Sequence, residues 1–151
     1  MARMRGYTLP DLMITLVVAS LMAAIAIPAY GTYVERAKVS RAIGDVSSLS
    51  LSIDSFELHN NGVLPASLDQ LPIDVPDDPW GRPYVYLNIR TAGPGKGALR
   101  KDGKLNPLNT DFDLYSMGKD GDSKGPLNAT ASRDDIVRAN NGAFIGLGED
   151  Y

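Results

Sequence analysis

The sequence predicts an α+β chain, a long N-terminal helix followed by short strands. Three observations predict it. No charged residue occurs from Leu12 to Tyr33. Apolar residues then recur at Val39, Ile43, Val46, Leu49, Ile53 and Phe56, at steps of three and four, the stripe of an amphipathic helix. Beyond residue 60, turn signals bound two strand candidates, Tyr84-Val85-Tyr86-Leu87 and the alternating segment around Phe112 and Leu114.

The chain opens with Arg3 and Arg5, then Gly6-Tyr7-Thr8-Leu9-Pro10-Asp11-Leu12. A carboxylate at the head of a bilayer-length apolar run is expensive and persists only with a partner. A secretory signal peptide also has a basic start and an apolar middle, and Ala24-Ile25-Ala26 would suit its cleavage site. The Thr8-Leu9-Pro10-Asp11 stretch does not suit that reading. A membrane anchor does fit, because roughly 18–20 apolar helical residues span a bilayer. With Arg3 and Arg5 held inside, the rest of the chain lies on the far side.

Glycine, an aromatic residue, Thr-Leu, one further residue, an acid and Leu, all ahead of an apolar helix, resemble the class III leader of type IV pilins and type II secretion pseudopilins. The resemblance implies cleavage by a prepilin peptidase between Gly6 and Tyr7, and N-methylation of Tyr7. Asp11 then takes the fifth mature position, where the family usually carries Glu. Tyr7 replaces the usual Phe, and Pro10 is uncommon at its place. The implied role of Asp11 is to neutralise the terminal ammonium of a neighbouring subunit, which sets axial register because breaking such a buried pair is costly.

Composition bounds the remainder. At 151 residues and 44% hydrophobic content, the chain is one domain-sized unit. Its net charge of −3, with no basic aromatic-interleaved patch, points away from nucleic acid. There is no cysteine, and His59 is the only histidine, so zinc and thiol chemistry lack ligands. No nucleophile–base motif is present, and the chain reads as a non-enzyme. Asn128-Ala129-Thr130 matches a glycosylation triplet, a pattern frequent by chance.

Past the apolar run, Pro28 either kinks the helix or opens its hydrogen bonding locally. Glu35, Arg36, Lys38 and Arg41 mark emergence into water, and the helix extends to about residue 58. Gly44 and several serines lower its propensity, so packing must stabilise it. Asn60-Asn61-Gly62 ends it with residues that tolerate left-handed backbone. Ser67 opens a short helical turn before Leu68-Asp69-Gln70-Leu71.

In Asp77-Asp78-Pro79-Trp80-Gly81-Arg82-Pro83-Tyr84, Trp80 is expected to anchor the core. This segment is similar to one in the major pseudopilin of type II secretion, where it starts the sheet packed on the helical spine. Residues 91–109, including Gly93-Pro94-Gly95-Lys96-Gly97, lack phosphate-loop spacing and read as a solvated loop.

Near the C-terminus, Asp113-Leu114-Tyr115-Ser116-Met117-Gly118-Lys119-Asp120-Gly121-Asp122 leads a half-buried strand into an acidic loop, with Asp134-Asp135-Ile136 later. Its spacing is not that of an EF-hand, and composition alone reads as a solvated acidic turn. The segment also resembles the C-terminal calcium loop of the major pseudopilin, which replaces the disulfide of many pilins. That resemblance implies Ca²⁺ held by Asp120, by the carbonyls of Met117 and Asp122, and by Asp134 or Asp135. The connection from Ser123 to Arg133 is longer than the family's. The tail Ala143-Phe144-Ile145-Gly146-Leu147 is either a further strand or left unpaired.

Together these features resemble a pilin-like fold: leader 1–6, membrane or filament-core helix 7–33, amphipathic helix 34–60, and a C-terminal region 61–151 with a small antiparallel sheet and a calcium loop. The function implied is that of the major pseudopilin of a type II secretion system. Its partners would be copies of itself in a helical filament, other pseudopilins, the prepilin peptidase, the inner-membrane assembly platform, and membrane lipid before assembly. The anchor would cross the bacterial inner membrane once, with a cytoplasmic N-terminus and a periplasmic domain. A type IV or minor pilin of a surface fibre is the alternative, and an anchored calcium-binding module a further one.

Overall fold

The computed structural model describes residues 6–92, 99–103 and 105–151. Arg3, Arg5 and the stretch from Gly93 to Gly97 lie outside them. Helix α1 (Leu9–His59) is followed by strands β1 (Val85–Asn88), β2 (Phe112–Ser116), β3 (Ile136–Ala139) and β4 (Phe144–Leu147). The strands form one antiparallel sheet in chain order, β1-β2-β3-β4. The tail is therefore a strand, with Val137 opposite Gly146 and Ala139 opposite Phe144. Contacts divide the chain into two compact units, one ending at Ala37 and one spanning Lys38–Tyr151.

In the first unit every described residue through Tyr33 is exposed. Leu12, Ile14, Leu16, Val17, Leu21, Ile25 and Ile27 all face outward, on a helix long and apolar enough to cross a membrane. Its serine and threonine hydroxyls are satisfied within the helix. Thr15 donates to the Leu12 carbonyl at 2.9 Å and Ser20 to the Val17 carbonyl at 2.9 Å. A hydroxyl bonded back to its own helix removes a polar cost in an apolar surrounding. Pro28 lies inside α1 without ending it.

In the second unit Ala42, Val46, Leu49 and Ile53 of α1 are buried against Tyr84, Phe112, Leu114 and Ile136. These four helix positions fall on the predicted stripe or one step from it. A smaller cluster, Leu108, Leu127, Val137 and Ala139, covers the sheet's other face. The helix ends as predicted, with Asn61 at φ 54° and Gly62 at φ 82°. Beyond it, Ser67 precedes a 3-10 turn, Leu68–Gln70.

Three expectations are corrected. Trp80 is half-buried against the main core rather than inside it, and the buried residues of its segment are Asp78 and Tyr84. β2 is not half-buried, because Asp113 is buried too: it accepts from the Arg100 amide at 2.9 Å and from Asn109 Nδ2 at 2.8 Å. Nor is the 91–109 segment solvated throughout, since Leu99, Arg100, Leu108 and Asn109 are buried.

Candidate functional site

The first candidate site is the start of α1. Thr8 stands one residue ahead of the helix, and its amide and hydroxyl both donate to Asp11 Oδ2, at 3.0 and 2.6 Å. The Leu12 amide reaches back to the Thr8 carbonyl at 3.3 Å. Thr8 and Asp11 thus stand three apart, as in a capping box, and the carboxylate answers an amide that the first helical turn leaves without an intrahelical acceptor. Pro10 falls inside that first turn, where its missing N–H costs nothing. Both Thr8 bonds fall on one oxygen; among the described residues Asp11 Oδ1 has no hydrogen-bond partner. Gly6 and Tyr7 are exposed, and nothing lies within 4 Å of a Cβ built on Gly6.

The second is the loop after β2, where the two C-terminal motifs meet. Asp78 Oδ1 accepts from the amides of Trp80 and Arg82 at 3.0 and 2.9 Å, folding its own segment into a turn. Its other oxygen accepts from Ser116 Oγ at 2.6 Å, and Ser116 Oγ in turn accepts from the Gly118 amide at 3.1 Å. The Arg82 guanidinium enters the loop and donates to the carbonyls of Gly118 and Lys119. Gly121, at φ 73°, makes room for it: a Cβ there would overlap the guanidinium.

The residues singled out for a cation are all in this loop, and one oxygen of each carboxylate there accepts a hydrogen bond. Met117 O accepts from the Gly121 amide at 3.2 Å. Asp134 Oδ2 accepts from the amides of Lys119 and Asp120 at 2.8 and 3.0 Å. Asp120 Oδ1 accepts from the Asp122 amide at 2.8 Å, and Asp122 Oδ1 from the Ser123 amide at 2.9 Å. Asp135 is fully buried, and Oδ2 accepts from Arg100 Nη2 at 2.5 Å and Ser123 Oγ at 2.7 Å. Burial pushes the Asp135 carboxyl up from its ordinary value against the opposing pull of Arg100. Among the described residues, no three carboxylate or imidazole side chains form a group that could hold a metal ion. Asp135 Oδ1 is buried and has no hydrogen-bond partner.

Arg82 and Arg100 are the site residues that sequence reasoning missed. Arg82 stood as the variable residue of a turn motif, and Arg100 stood in a loop read as solvated. The available signal was the pairing of Arg100 with Leu99 and the recurrence of leucine at 105 and 108, which is more apolar than a solvated loop requires.

An outward-facing apolar helix with a capped carboxylate, continuing as the spine of a four-stranded antiparallel domain, is a pilin-like α+β architecture. The comparisons agree. The chain is 29% identical to Type II secretion system core protein G of Pseudomonas aeruginosa over 147 residues, covering 82% of this chain and 89% of that protein. It is 29% identical to the protein of the same name from Pectobacterium carotovorum over 140 residues, 79% and 78% of the two chains. It is also 38% identical to a fimbrial protein of Pseudomonas aeruginosa over 64 residues, 42% of each chain. No family model matches the chain. No solved structure matches it. The resemblance to type II secretion pseudopilins is borne out over about four-fifths of the chain.

Proposed function

We propose that this chain is the major pseudopilin subunit of a type II secretion system. It waits in the bacterial inner membrane with its N-terminus cytoplasmic and residues beyond about 34 periplasmic. A prepilin peptidase cuts between Gly6 and Tyr7, and Tyr7 is N-methylated. The assembly platform then extracts the subunit into a helical filament of its own copies, joined by other pseudopilins, whose growth moves folded proteins outward. Its role is structural rather than catalytic.

The observation that carries this reading is Asp11 at the head of an exposed apolar helix. Thr8 occupies only Oδ2. Oδ1 is thereby available to the Tyr7 ammonium of a neighbouring subunit, and a carboxylate already ordered by its own cap loses less entropy on pairing. Leu12 to Ala29 then supply the helix-to-helix packing of the filament core.

Co-expression with a prepilin peptidase and an assembly platform tests it. Wild type should give sheared filaments of processed chain. Asp11→Ala should be processed but yield fewer filaments, by at least about tenfold, the equivalent of roughly 1.4 kcal/mol. Undiminished filaments would remove the register role.

The fimbrial similarity favours one second reading, a pilin of a surface fibre. Deleting the gene separates the two: a pseudopilin's loss stops export of folded proteins, and a pilin's loss removes fibres while export continues.

A further inference from the structure

A cavity of about 390 Å³ opens where Asp102, the connection ahead of β3 and the residues after β4 meet. Its apolar side is Leu127, which is 2% exposed. Asp102, Asn128, Arg133 and Glu149 supply its polar lining. Among the described residues, none of these four side chains has a hydrogen-bond or ion-pair partner. The Tyr151 ring completes the lining, 38% exposed and held by an edge contact with the Phe144 ring at 5.2 Å.

The main chain around this cavity is already paired. Asp102 and Leu105 exchange amide-to-carbonyl bonds at 3.0 and 2.6 Å, and the Leu127 amide donates to the Lys101 carbonyl at 3.0 Å. The amides of Gly148 and Glu149 donate to the carbonyls of Asp135 and Arg133, at 2.8 and 3.1 Å. An extended peptide draws its affinity chiefly from main-chain bonds, and these amides have none left to give. The ligand must therefore answer side chains. Carboxylates only accept, a guanidinium only donates, and an amide does both. Asp102 and Glu149 disfavour an anion, and Arg133 disfavours a cation. Sugar hydroxyls carry no charge and each both donates and accepts, so they satisfy all three kinds of group. The apolar body of a tyrosine ring gives the C–H face of a pyranose a flat surface. The volume falls at the small end of ligand sites, which run from about 300 to 1,000 Å³.

We propose that this cavity holds one or two neutral sugar residues, with the ring face on Tyr151 and the hydroxyls on Asp102, Asn128, Arg133 and Glu149. The site stands apart from the assembly reading, since no residue of α1 lines it.

Backbone-amide NMR of the full chain tests this, in dodecylphosphocholine micelles so that the detergent brings no sugar. The probes are glucose, N-acetylglucosamine, maltose and chitobiose; the last two separate a plain glucan unit from an N-acetylated one. At least one should shift residues 101–103, 127–133 and 147–151 saturably, with a Kd of about 0.1–10 mM, the scale of a few side-chain contacts. Tyr151→Ala and Glu149→Ala should each raise that Kd by at least about threefold while the rest of the spectrum stays native. Should Tyr151→Ala disturb β4, Glu149→Ala alone decides. No saturable shift from any of the four sugars up to about 50 mM would overturn the proposal. So would undiminished affinity in the variants, or saturation by triglycine where the sugars have no effect, which would make the cavity a peptide site.

Discussion

Arg138 grips Asp111 with both terminal nitrogens, Nη2 to Oδ2 at 2.7 Å and Nη1 to Oδ1 at 2.9 Å. Its Nε donates to Ser50 Oγ at 2.9 Å, and its guanidinium lies 3.9 Å over the Phe112 ring. A single β3 side chain thus joins α1, the entry to β2 and an aromatic of the main core. Ser50 is buried on the helix face where a larger residue would exclude the guanidinium.

Arg138→Met should therefore destabilise the domain by about 3–5 kcal/mol, the cost of leaving one partner of a buried pair uncompensated. Arg138→Lys should recover only part of this, because an ammonium cannot reproduce the bidentate fork. Denaturant unfolding of both variants checks it; a loss below about 1 kcal/mol in Arg138→Met would show that the pair contributes little.

The same pair gives stability a sign in pH. Burial pushes the Asp111 carboxyl up, but the hydrogen bonds and charge of Arg138, with the Phe112 amide, outweigh it and leave the pKa below the ordinary 3.8. A lowered carboxylate pKa contributes stability above 3.8 that is lost as pH falls through the folded-state value. The stability gap between wild type and Asp111→Asn should be widest near neutral pH and close as pH falls below that point. A gap unchanged down to about pH 2 would assign the loss to packing instead.

Gly118 and Gly44 should respond oppositely to alanine. Gly118 has φ 63°, and a Cβ there would overlap the Asp134 carbonyl. Gly118→Ala should cost at least about 2 kcal/mol, from left-handed strain plus displacement of the loop. Gly44 is exposed inside α1 with nothing within 4 Å of a built Cβ. Gly44→Ala should stabilise the unassembled subunit by roughly 0.5–1 kcal/mol. Thermal unfolding of the two variants side by side reads both signs.

What was legible in the sequence was local. The uncharged run, the apolar stripe and the Asn61-Gly62 stop place α1 to within about a residue, because each signal acts over a turn or two. The turn around Asp78 was legible as a turn, though not as the buried tie to Ser116 across 38 positions. Arg100 was opaque for the same reason. Its charge argues for solvent, and only Asp135, 35 positions away, makes its burial tolerable. Residue types in 120–135 carry no record of which backbone amides the carboxylates accept from, such as those of Lys119 and Asp120 on Asp134. The tail strand was undecided, since four residues with a glycine pair only where β3 offers an edge.

The most direct test of the account is the intact mass of the chain recovered from membranes that carry a prepilin peptidase. The account predicts a chain beginning at Tyr7 with one added methyl group, and an uncut product from Gly6→Ala. A chain that keeps its first six residues in the presence of active peptidase, or one cut after Ala26, would contradict it.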